Sequence, residues 1–123
     1  MVAKSPLYPE QQLRRRAMGW AVKLRVNPEQ VRIQRLPGKW GSCAPEGIVT
    51  FADDLADEAE NFQDYVIVHE LLHLRYRDHG KQFKALMTAL VPDWRDLEKQ
   101  SRHSADQKPE RAKATGRAID ADD

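Results

Sequence analysis

The stretch His69-Glu70-Leu71-Leu72-His73, with His79 six residues further on, decides how this chain is read. In an α-helix, residues four apart share a face and lie about 6 Å apart along the axis, from a rise of roughly 1.5 Å per residue. His69 and His73 therefore predict two imidazoles holding one cation, and His79 a third ligand just beyond the helix. Glu70 stands one step round, where a carboxylate accepts a proton from a metal-bound water. Three protein ligands with an open fourth position describe a catalytic zinc site, whereas structural sites are closed by four. The expected cofactor is one Zn2+ per chain. The competing reading, a core helix that happens to carry histidines, fits poorly with three of the four histidines lying within eleven residues.

The surrounding chain reads as a frame for that helix. Phe62, Tyr65, Val66, Val68, Leu71, Leu72 and Leu74 occupy nearly every side of it, which predicts a central, buried helix with its cap near Asn61 and Asp64 in the first turn. Burial suits a metal site, because it keeps imidazoles neutral and lowers the local dielectric. Upstream, Leu13, Ala17, Trp20, Ala21 and Leu24 recur at helical spacing from Pro9 to about Arg25, with arginines outward, until Asn27-Pro28 stops the helix. Val31 and Ile33 alternate with polar residues as a half-buried strand ending at Pro37-Gly38. A turn-rich stretch from Lys39 to Gly47 leads to a second strand, Ile48 to Ala52. The two strands predict a small sheet, built as a hairpin or a meander. Downstream, Asp78 is the expected cap of a helix whose stripe is Phe83, Leu86, Met87, Leu90 and Val91, ending at Pro92. A short helix from Trp94 to about Arg102 follows. Large apolar residues nearly vanish after Ser101, which predicts a disordered tail over 104–123 behind a single domain over 1–103.

Composition narrows the class. A chain of 123 residues builds one modest core. Its mean hydropathy of −0.73 leans polar, and no apolar run approaches the roughly 20 residues that span a bilayer, so no membrane role is expected. The first ten residues lack a signal-peptide apolar stretch. Cys43 stands alone, which removes disulfide frameworks and cysteine zinc fingers and places the chain most simply in a reducing cytoplasm. The net charge of +1 hides an asymmetry: residues 1–40 carry nine Lys/Arg against two acids, and residues 46–70 carry eight acids and no Lys or Arg. Arg14-Arg15-Arg16 on the first helix is open to two readings, a nucleic-acid surface or a solvated face paired with the acidic segment.

Taken together, Gly38-Lys39-Trp40-Gly41-Ser42-Cys43, the strand after it, Asp64 to Leu74 around the H-E-x-x-H, Asp78-His79 with Phe83, and Val91-Pro92-Asp93-Trp94 resemble the YgjP-like metallopeptidases. These are zincin relatives of the WLM and SprT-like proteases. The resemblance spans roughly residues 10–100 in one order. It implies an α+β, zincin-like fold with a small sheet packed on a central zinc-binding helix and flanking helices. It also implies His69, His73 and His79 as zinc ligands and Glu70 as general acid/base. Relative to the family, the chain resembles a minimal catalytic module without the additional N-terminal strands. Phe51-Ala52 replaces a frequent Leu-Asn pair, and Gly80 replaces a frequent Ser. The spacing from His69 to His79 equals that of metzincins, yet Tyr76 stands where those enzymes turn on a glycine, so the chain must reach His79 by another route, such as a helix continued to Arg77-Asp78.

The implied activity is hydrolysis of peptide bonds in a peptide or protein substrate. Ile48, Val49 and Thr50 are candidate substrate contacts on a sheet edge, and Tyr76 is a candidate from the helix face, with core or support of a ligand as its plainer role. Trp40 and Cys43 read as core rather than substrate platform and nucleophile. Three other functions share these features: a zinc-containing binding module for a protein or nucleic-acid partner, a metal-dependent hydrolase of non-peptide substrates, and a DNA-associated protease of SprT/WLM type. The carboxylate of Glu70 separates the first from the rest, since a purely structural zinc has no use for it.

Overall fold

Pro9 opens the first helix, α1 (Pro9–Leu24), at the position where a missing N–H costs nothing. The computed structural model describes the backbone of residues 8–107 and the side chains of residues 8–102. At the start of α1 the Gln11 side chain accepts the Tyr8 N–H at 3.0 Å. Its end is a Schellman motif: Val26 N–H bonds Ala21 O at 3.0 Å and Arg25 N–H bonds Val22 O at 3.1 Å. That motif places Arg25 at φ 58°, in the left-handed region usually filled by glycine. Arg25→Gly is therefore expected to stabilise the domain by up to about 1 kcal/mol, a rise of a few degrees in Tm by calorimetry.

Three strands follow: β1 (Gln30–Gln34), β2 (Gly41–Cys43) and β3 (Ile48–Ala52). They form one sheet in the order β1-β3-β2, with β1 parallel and β2 antiparallel to β3. β2 lies inside the stretch expected to be turn. It joins β3 through a tight connection in which Gly47 N–H bonds Ala44 O at 2.9 Å. Gly47 takes φ 96° there, a value that side chains other than glycine resist. The hairpin or meander expected of β1 and β3 is not formed, because those two strands are parallel; the hairpin here joins β2 and β3. A 3-10 turn (Asp53–Asp57) carries the chain to α2 (Glu60–Leu72), followed by α3 (Lys81–Leu90) and α4 (Trp94–Gln107).

α2 is the centre of the molecule, with Phe62, Gln63 and every residue from Tyr65 to Leu72 buried. It starts at Glu60 with Ala59 as cap, not at Asn61, and no side chain caps it. The turn before it is held instead by Gln63 Nε2, which donates to Glu58 O at 2.9 Å and Ala56 O at 3.3 Å. The helix also stops at Leu72, with His73 as C-cap, rather than running on to Arg77. Gly80, not Asp78, caps α3. Trp40 is fully buried, edge-on to Phe62 at 5.3 Å, and its Nε1–H donates to Ser101 O at 3.2 Å, which ties the loop before β2 to α4.

α1 packs on α2 through a polar seam. Arg16 pairs with Glu60 at 3.0 Å and with Asp64 at 3.2 Å, and Trp20 Nε1–H donates to Asp64 at 2.8 Å. Arg14 donates to the carbonyl of Val31. Two of the three consecutive arginines thus serve the fold, and the basic helix and acidic segment pair with each other as the plainer reading expected. α4 runs to Gln107, four residues into the stretch expected as tail; the rest of that stretch, 108–123, and the side chain of His103 lie outside the described residues. Among the described residues, no helix is long and apolar enough to cross a membrane.

Candidate metal centre

His69 lies in the last turn of α2, and His73 follows as the C-cap with helical backbone angles, φ −66° and ψ −14°. The i, i+4 geometry therefore survives although the helix ends between them. Beyond His73 the chain folds back through Leu74 N–H to Leu71 O at 3.0 Å and Tyr76 N–H to Leu72 O at 2.8 Å. This turn, not a longer helix, delivers His79. The Nε2 atoms of His69 and His73 lie 3.3 Å apart, and those of His73 and His79 lie 3.1 Å apart. One ligand atom from each residue fits within 4.8 Å of the others. His69 is buried, while His73 and His79 are half-buried.

The donor set fits a zinc ion. Bonds of about 2.0–2.1 Å at tetrahedral angles separate two ligand nitrogens by about 3.3 Å, close to the spacings found here. The tautomer agrees as well: His73 Nδ1–H donates to Tyr76 O at 3.0 Å, which leaves the Nε2 lone pair directed at the cluster. Phe83, the first buried residue of α3, closes one side. Its ring lies 5.1 Å from that of His73 in a stacked arrangement, 4.7 Å from His79 and 5.2 Å edge-on to His69. Such a hydrophobic wall limits water and keeps the imidazoles in place.

Glu70 is wholly buried between α2 and β2. The fit is close, because a Cβ added to Gly41 would meet Glu70 Cγ at 3.0 Å, Thr50 O at 3.2 Å and Glu70 Oε2 at 3.3 Å. Only a glycine lets the β2 backbone lie this near the carboxylate.

The sheet edge expected at Ile48–Ala52 is corrected by the topology. Ile48, Val49 and Thr50 belong to the central strand, paired with β1 on one side and β2 on the other. Their backbone is committed to the sheet and offers no edge to an added strand. Tyr76 reaches the site through its main-chain carbonyl on His73. Gly41 and Phe83 were missed as site residues. Gly41 lay in an apparent turn, and Phe83, four residues after His79, was absorbed into the apolar stripe of its helix.

No curated protein matches the chain. Two solved structures share its fold. The metallopeptidase zymogen jannalysin of Methanocaldococcus jannaschii is 16% identical, with 75% of this chain and 95% of that one covered at a TM-score of 0.65. The metallopeptidase zymogen abylysin of Pyrococcus abyssi is 18% identical, with 75% and 93% covered at the same TM-score of 0.65. The family model of the YgjP-like metallopeptidase domain matches residues 8–103, nearly the whole described chain. The chain therefore belongs to the YgjP-like family and carries its metallopeptidase domain.

Proposed function

We propose that the chain is a zinc-dependent peptidase with His69, His73 and His79 as metal ligands and Glu70 as the general acid/base. The observation that carries the reading is a convergent set of three imidazoles, with the fully buried carboxylate of Glu70 next to His69 on the same helix. A purely structural cation needs no such neighbour. When bound, zinc supplies Lewis acidity, polarising a scissile carbonyl and lowering the pKa of the attacking water. Glu70 takes the proton from that water as it attacks and then passes it to the leaving amine. The Tyr76 carbonyl holds the His73 ring in its ligating tautomer throughout. Among the described residues the edge strand beside Glu70 is β2, not β3, and it is there that an extended substrate would pair.

Gly41 sets where Glu70 stands, and this gives a test of geometry separate from chemistry. In Gly41→Ala the new methyl must push Glu70 or the strand by a few tenths of an ångström. We expect zinc content to be kept and kcat to fall roughly tenfold or more, since about 1 Å of misplacement costs on the order of a hundredfold.

The function itself is tested by digesting a diverse peptide mixture with zinc-loaded protein and reading the products by mass spectrometry, with Glu70→Gln in parallel. Cleavage by wild type alone supports the reading. No cleavage by either, with zinc present in both, counts against it and favours a binding module.

A further inference from the structure

A groove of about 530 Å³ opens beside the metal cluster, with His73 in its wall. Its sides come from three parts of the chain: Arg25 after α1, the β2–β3 turn with Glu46, and Arg75 and Arg77 from the turn that delivers His79. All three arginines are exposed, and no ion pair holds them among the described residues. Against them stands one exposed acid, Glu46, so the rim carries two more positive charges than negative. By contrast, Arg14 and Arg16 are engaged with the fold. Arg25 also occupies its place at φ 58°, where glycine would relieve the backbone but remove the charge.

We propose that this groove selects acidic peptide segments, binding Asp and Glu side chains next to the scissile bond. The inference rests on the peptidase reading and gives it a substrate class. Three guanidinium groups from two segments, Arg25 on one and Arg75 and Arg77 on the other, line a cleft wide enough for side chains, and each presents a planar fork that matches a carboxylate. Clustered charge of one sign also raises the local concentration of an oppositely charged ligand. Exposed ion pairs are individually weak, so the selection comes from their sum and is sensitive to salt.

The test uses zinc-loaded full chain and fluorogenic peptides with one scissile core and amidated C-termini. The core is flanked by Asp/Glu, by Asn/Gln or by Lys/Arg. Acidic flanks are expected to raise kcat/KM about tenfold over neutral ones at low salt, on the summed worth of exposed pairs. The preference should collapse in Arg75→Gln/Arg77→Gln and shrink at 0.5 M salt, roughly where screening acts within a few ångströms. Equal cleavage of all three peptides overturns the proposal. If none is cut, the peptidase reading fails on its own, and fluorescence anisotropy with the same labelled peptides then judges the groove. Acidic-peptide binding that weakens in the double variant upholds it, whereas equal or absent binding at low salt overturns it. An oligonucleotide of equal charge that binds more tightly than the acidic peptide also overturns it and reassigns the groove to nucleic acid.

Discussion

Glu70→Gln is expected to keep the fold and the zinc while kcat/KM falls by about 10²- to 10⁴-fold, the range for loss of a general acid/base. Glutamine keeps the shape of the side chain, so the close approach of Gly41 to Cγ is undisturbed. It cannot take a proton from water at neutral pH. None of the three clustered histidine nitrogens belongs to it, so zinc content by mass spectrometry should match wild type. Stability should move the other way from activity, if it moves at all. A carboxylate kept fully buried is costly in the metal-free protein, and a neutral amide costs less, so the apo variant should melt no lower than apo wild type. Hydrolysis by the variant at the wild-type rate would show that the proton goes elsewhere.

The parts of the molecule that were legible in the sequence are those where one period dominates. The stripes from Leu13 to Leu24 and from Phe83 to Val91 repeat at helical spacing, and both helices are present. α2 was legible for a different reason: apolar residues on every side leave a helix nowhere to lie but in the centre. The metal cluster followed because i, i+4 spacing survives even when the second histidine is the cap.

What escaped was set by contacts between distant segments. Gly41-Ser42-Cys43 has little strand propensity of its own and is a strand because β3 pairs with it and Trp40 anchors the loop before it. The central place of β3 left one trace, an uncharged run in which Val49, Thr50, Phe51 and Ala52 are all buried. A strand covered on both faces reads this way, whereas an exposed edge alternates. Asn61 and Asp78 are good capping residues by type, yet the helices start at Glu60 and Lys81. At α2 Gln63 binds the preceding turn, so local preference yielded there to a longer-range bond. Tyr76 acts through a carbonyl that every residue has, so no side-chain pattern could have marked it.

His73→Ala should produce the largest change in stability. The Nε2 of His73 lies 3.3 Å from that of His69 and 3.1 Å from that of His79, so it is in contact with both other ligand nitrogens. Its loss leaves two ligands, too few for tight zinc binding. At free zinc a thousandfold above the wild-type Kd, binding contributes about 4 kcal/mol to folding, and the variant forfeits it. For a domain of this size that is a fall in Tm on the order of 15 °C or more. The core around Trp40, Phe62 and Leu71 is untouched, so the variant should still fold. Chelation separates the two parts of the effect. Wild type stripped of metal loses only the zinc term, while the variant also lacks the stacking on Phe83 and the bond to Tyr76 O, a further ~1–2 kcal/mol. The variant should therefore ignore chelator and melt slightly below chelated wild type. A chelator-induced drop as large in the variant as in wild type would mean that the metal is held without His73, and the three-histidine centre would have to be abandoned.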